Sequence, residues 1–166
     1  MKKKILLPTD FSIESLNLLK SILSQNNDGW KYDIVLLHGV TLTSSISELL
    51  FFSKASLIQS LTNTDFEDAC NVLKNKYASH INSIRKDIFT GFTQTSFNNY
   101  VEANRFDMAC IPASYKLQIK SSKSFDVVPF IKKSKLKTEQ IEWNMETLMP
   151  EKGRLAELFF RGVATN

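Results

Sequence analysis

KKILLPTDFS, residues 3–12, sets an apolar strand core directly against a turn rich in capping groups. Ile5, Leu6 and Leu7 form a continuous apolar run, which suits a strand buried on both faces. Pro8 ends the run. Thr9, Asp10 and Ser12 stand where a helix N-terminus should begin, and Glu14 falls in its first turn, where a carboxylate meets the positive end of the helix dipole. The carboxyl end of this strand is therefore the expected ligand edge, because helix N-termini and loops converge there in parallel α/β sheets.

Outward from that stretch, Ile13, Leu16, Leu19, Ile22 and Leu23 recur at helical spacing and predict a first helix from about Ile13 to Gln25. The turn cluster at 26–29 stops it. A second strand, Asp33 to Val40, carries the run IVLL and then His38 and Gly39, so strand, helix and strand form a βαβ unit with a parallel pair. Residues 42–63 are apolar enough for a packed excursion with one or two helical turns, or for an apolar lid at the strands' carboxyl edge.

A second helix opens on a capping box, Thr64 to Glu67, and carries Phe66, Cys70, Leu73, Tyr77, Ile81 and Ile84 along one face. A third strand is expected over Lys86 to Phe92, a third helix through Phe97, Tyr100 and Val101 to about Asn104, and a fourth strand from Phe106 to Ile111. Ser124 is a candidate cap for a helix from Phe125 to Lys133, with Pro129 as its start or bend. Leu136 to Trp143 alternates like an edge strand, although helix formers crowd residues 139–149. Residues 151–162 place Leu155, Leu158 and Phe159 on one side of an appended amphipathic helix.

Composition narrows the classes. At 166 residues the chain is expected to be one domain, residues 1–143, with an extension over 144–166. Cys70 and Cys110 both lie in apolar patterns and read as buried free thiols of a reduced, cytoplasmic protein. The apolar run after the first four residues is too short for a secretion signal, and none approaches the roughly 18 apolar residues of a membrane span. The formal charge of +4 is mild. Its distribution is not: seven lysines, at 116, 120, 123, 132, 133, 135 and 137, stand against the single acid Asp126.

Four strand–helix units followed by an edge strand match a small doubly wound sheet. With KKILLPTDFS at 3–12, DIVLLHGV at 33–40 and FDMACIPAS at 106–114, the chain resembles the universal stress protein family over about residues 2–143. The resemblance implies a three-layer α/β sandwich around a five-stranded parallel sheet in order 3-2-1-4-5, the adenine nucleotide alpha hydrolase-like arrangement, and usually a homodimer formed through the last strand. It also implies that Thr9, Asp10 and Val40 would flank an adenosine. Nucleotide-binding members carry Gly-x2-Gly-x9-Gly-[Ser/Thr] after the fourth strand, and this chain has no glycine between Gly91 and Gly153. Pro112, Ala113 and Tyr115 stand where that motif should start, so the tight turns and close backbone approach glycine permits are lost. ATP or AMP binding in the family's manner is not expected.

The candidate chemistry is correspondingly sparse. Asp10 reads first as a helix cap and second as a binding residue. His38 reads as a structural histidine bonded to backbone, and Cys110 as packing. Lys116, Lys120 and Lys123 replace the phosphate-wrapping loop and are the candidate anion site, as point charges without a backbone cradle. With little aromatic interleaving and no arginine in the tract, nucleic acid is not the expected partner. No nucleophile elbow, metal-ligand spacing, phosphate loop or paired-cysteine motif is present, so neither an enzyme nor a metal site is expected. The expectation is a non-catalytic stress-response domain acting by dimerisation or protein association, with Trp143, Leu155, Leu158 and Phe159 at the interface. The alternative is a sensor of adenine nucleotide or another small anion.

Overall fold

The computed structural model describes residues 1–42 and 53–143. The opening stretch forms β1, Lys2–Pro8, at the centre of the sheet, with Ile5, Leu6 and Leu7 almost wholly buried. Burial on both faces is why the run shows no polar alternation: Ile5 and Leu7 face one layer of helices and Leu6 the other. Each such side chain contributes roughly 1.5–3 kcal/mol when removed from water.

The remaining strands are β2 (Lys31–Val40), β3 (Ile81–Phe89), β4 (Met108–Pro112), β5 (Ser124–Phe125) and β6 (Thr138–Ile141). The main sheet runs β3-β2-β1-β4-β6, all neighbours parallel, which is the expected order with β6 as the fifth parallel strand. β5 is an addition the sequence did not announce, pairing antiparallel with the tip of β2.

The helices are α1 (Asn17–Ser24), led in by a 3-10 turn at Glu14–Leu16, then α2 (Lys54–Leu61), α3 (Thr64–Lys76), α4 (Gln94–Asn104) and α5 (Val128–Lys133). Leu16, Leu18, Leu19 and Leu23 join Phe66, Ala69, Cys70 and Leu73 over one face of the sheet. On the other face Phe97, Val127 and Ile131 cover Leu6, Val35, Leu37 and Ile111. One helix layer on each side completes the α/β sandwich.

Several boundaries differ from the sequence reading. α3 is capped by Asn63, whose Oδ1 accepts the Phe66 N–H at 2.8 Å, so Thr64 is the first helical residue and not the cap. The same helix ends at Lys76, and Ile81 and Ile84, which fit its spacing, belong to β3, where they pair with Tyr32 and Ile34. The third strand therefore begins five residues earlier than expected, at Ile81 rather than Lys86. Ser124 is in β5 and does not cap a helix; α5 starts at Val128 with Pro129 in its first turn, where the missing N–H is no loss. Residues 138–141 are strand, tied to β4 through Ala109↔Thr138 to Pro112↔Ile141, which overrides their helix-forming composition. The extension at 144–166, with Leu155, Leu158 and Phe159, lies outside the described residues, as does most of the lid or excursion before α2.

Candidate functional site

In this strand order the topological switch point lies between β1 and β4, and the crevice outside their carboxyl ends is the place where such sheets receive ligands. β1 gives up its pairing there. Thr9 N–H donates to the Leu37 carbonyl at 2.9 Å as the last bond to β2, and the chain then turns sharply through Phe11, whose φ of 60° is left-handed. A bulky residue in that region costs on the order of 1–2 kcal/mol. Burial of the Phe11 ring, 5.0 Å from the His38 ring and edge-on to Phe66 at 5.5 Å, offsets it.

The turn is held by its own polar groups. Thr9 Oγ1 accepts the Phe11 N–H at 3.0 Å and shares a hydrogen bond of 3.0 Å with Ser15 Oγ. Asp10 Oδ1 accepts the Ser12 N–H at 2.9 Å and a short bond from Ser12 Oγ, which itself accepts the Ser15 N–H at 3.2 Å. Ser12, oriented by Asp10, thus satisfies a donor at the start of the first helical turn.

The other oxygen of Asp10 faces away from that turn. Oδ2 accepts the Tyr115 hydroxyl at 2.6 Å and the Gln118 N–H at 2.7 Å. Burial, and then the bond to the carboxylate, push the Tyr115 hydroxyl well above the ordinary tyrosine range, so it remains a donor. Its ring lies 5.7 Å from that of Trp143, which packs half-buried at the edge of the core.

Past Tyr115 the same segment crosses the crevice to β2. Thr41 N–H donates to the Lys123 carbonyl at 2.6 Å, and Ser124 and Phe125 then pair with Val40 and Gly39. Because β3 already occupies one edge of β2 through Gly39↔Phe89, β5 takes the edge that β1 vacates after Pro8. Gly39 is required for this. A Cβ there would sit 2.6 Å from a Phe125 ring carbon and 2.7 Å from the Phe125 carbonyl oxygen.

His38 lies beneath the crossing. Its Nδ1 is 2.9 Å from the Thr9 carbonyl oxygen and its Nε2 2.9 Å from Ser124 Oγ. Burial lowers its pKa, and outweighs the Thr9 carbonyl and Asp10, which act in the opposite direction.

The structure thus brings Thr9, Asp10 and Val40 to one crevice, with the segment that bears Lys116, Lys120 and Lys123 laid across it. Lys132 and Lys133 instead end α5, where cations meet the negative end of the helix. Both cysteines are buried, which pushes each thiol up to about 12 and leaves neither as a thiolate. Among the described residues no cluster of three His, Cys, Asp or Glu side chains is arranged for a metal, and no helix is long and apolar enough to cross a membrane. Tyr115, Gln118 and Ser124 are the participants that sequence reasoning missed. The one available signal was the absence of glycine around Tyr115, which left side chains to fill the space.

UspA, the universal stress protein of Lactobacillus plantarum, superposes with a TM-score of 0.54 at 11% identity, over 84% of this chain and 97% of that one. The chain has the universal stress protein fold. The hypothetical proteins PH0823 (TM-score 0.52, 17% identity) and MJ0577 (TM-score 0.51, 22% identity) are also similar, each over 86% of this chain and 96% of the other. No protein-family model matches the sequence, and no curated protein matches it. Within the universal stress protein fold, the loop after β4 is here anchored by side chains of Asp10 and Tyr115 and by strand pairing to β2.

Proposed function

We propose that this chain is a non-catalytic, cytoplasmic universal stress protein-like domain that acts by dimerisation or protein association in a stress response, with its nucleotide crevice given over to its own polypeptide. The observation that supports this most directly is the use of Asp10 Oδ2 by Tyr115 and Gln118. A nucleotide seated against Asp10 and Val40 would have to displace both those bonds and β5. Lys116, Lys120 and Lys123 supply charge on that segment without glycine turns to wrap a phosphate.

The association surface in this reading is the β6 edge with Trp143, extended by Leu155, Leu158 and Phe159. Calorimetry with ATP and AMP should give no binding heat, while light scattering at micromolar concentration should report a dimer. A monomer would refute the association surface. Saturable heat from a nucleotide would refute the closed crevice and leave the small-anion sensor, with the three lysines as its contacts.

A further inference from the structure

We infer that Ser124 is a nucleophilic hydroxyl, activated by His38, that accepts an acyl group from activated esters. The His38 ring is held between two oxygens of different character. The Thr9 carbonyl, 2.9 Å from Nδ1, can only accept, so the neutral ring carries its proton on Nδ1. Nε2 is then an acceptor, and the Ser124 hydroxyl at 2.9 Å directs its hydrogen to it. A serine bonded to an imidazole whose far nitrogen is anchored is the arrangement that makes a hydroxyl nucleophilic in acyl transfer, and here a backbone carbonyl does the anchoring.

Other features of the same place agree. Burial keeps His38 in its basic form at neutral pH, and the Phe11 ring packs against it. Ser124 itself is only partly buried on β5, nearer the surface than the base, which is 4% exposed. Nothing in the non-catalytic reading uses this pair as a base and nucleophile.

The step balances without a redox partner. Ser124 Oγ adds to the acyl carbon and its proton passes to His38 Nε2. The bond from that carbon to the leaving oxygen breaks, the leaving oxygen takes the proton, and neutral His38 and O-acylserine remain. One acyl group is taken per chain. The acylated serine has no hydrogen to give Nε2, so the modification severs the side-chain tie between β5 and His38.

The test uses p-nitrophenyl acetate on the full chain at neutral pH, with peptide mapping of the acetyl group. Acetylation of Ser124 in the native protein should run at least about a hundredfold faster than in the urea-unfolded chain, the scale of a positioned general base. His38→Gln should lose that excess, and Ser124→Ala should lose the modification at this position. Acetyl groups spread over lysines with no native excess at Ser124 would overturn the inference, and that comparison needs no variant to fold. Equal labelling of Ser124 in a folded His38→Gln protein would overturn it as well.

Discussion

Removing the Asp10 carboxylate tests how strongly the loop after β4 is tied to the turn after β1. Asp10→Ala deletes an acceptor used by Ser12 N–H on one side and by Tyr115 and Gln118 on the other. Loss of the Asp10 bond to the Ser12 N–H, a side-chain-to-backbone bond within the turn, costs about 1 kcal/mol. The half-buried Tyr115 hydroxyl loses a bond to a charged acceptor, worth about 1.5 kcal/mol at the low end of its range because water reaches part of the site. The Gln118 N–H is exposed and takes water instead, so it adds little. The sum is about 2–3 kcal/mol, which for a domain of this size lowers Tm by roughly 5–10 °C.

Tyr115→Phe removes only the hydroxyl and should cost about 1–1.5 kcal/mol. Urea unfolding of wild type, both single variants and the double variant then gives the pairwise coupling, expected near 1 kcal/mol. Strict additivity, or a Tyr115→Phe variant as stable as wild type, would refute the view that this bond holds the segment in place.

Other expectations follow from the same geometry. Gly39→Ala should cost at least about 1–3 kcal/mol as an overpacked contact, read by thermal unfolding, and adding Phe125→Ala should not restore it, because the Phe125 carbonyl lies as close as the ring. In β3, Asp87 is buried, and burial alone would raise its pKa. The Tyr100 hydroxyl at 2.8 Å and the Ile88 N–H at 2.8 Å, with Lys54 and Arg85 beside it, more than reverse that. Its folded pKa is thus below the unfolded value, so its contribution is full above about pH 4 and is lost as pH falls through the folded pKa. Asp87→Ala should cost about 2–4 kcal/mol at pH 7 by leaving the Tyr100 hydroxyl unpaired, and should flatten the acid limb of a stability–pH curve. His38 has the opposite charge and also a lowered pKa, so the unfolded chain binds its proton first. Stability should therefore decline as pH drops below about 6.5 and level off below the folded pKa, and His38→Gln should remove that decline in urea titrations.

The parts of the fold that were legible are those written locally. ILL at 5–7 and IVLL at 34–37 are apolar on both faces because both faces are covered, and that alone places them inside a parallel sheet. The boundary between α3 and β3 was hidden because Ile81 and Ile84 continue the helical period of Phe66, Cys70 and Leu73. Only pairing with β2, a contact nearly fifty residues away in the chain, draws them into a strand. β5 was illegible for a stronger reason. Two residues carry no period, and their pairing depends on the edge that β1 leaves open. The crevice was half legible: Thr9, Asp10 and Val40 could be assigned to one edge, but Asp10's partners lie more than a hundred residues downstream.

The central position of β1 also sets an order of events on the ribosome. The strand precedes both its partners and can pair with β2 as soon as residues 31–37 have been made, yet its other edge must wait for Met108 and Ala109. The tie from Lys4 N–H to the Asp107 carboxylate spans 103 positions. A nascent chain therefore carries the apolar run Ile5–Leu7 with one open edge until β4 has been made, in a topology whose long-range pairings close slowly. Arrested chains ending before β4 should be the species that chaperones retain, and those extending past β6 the first to resist protease.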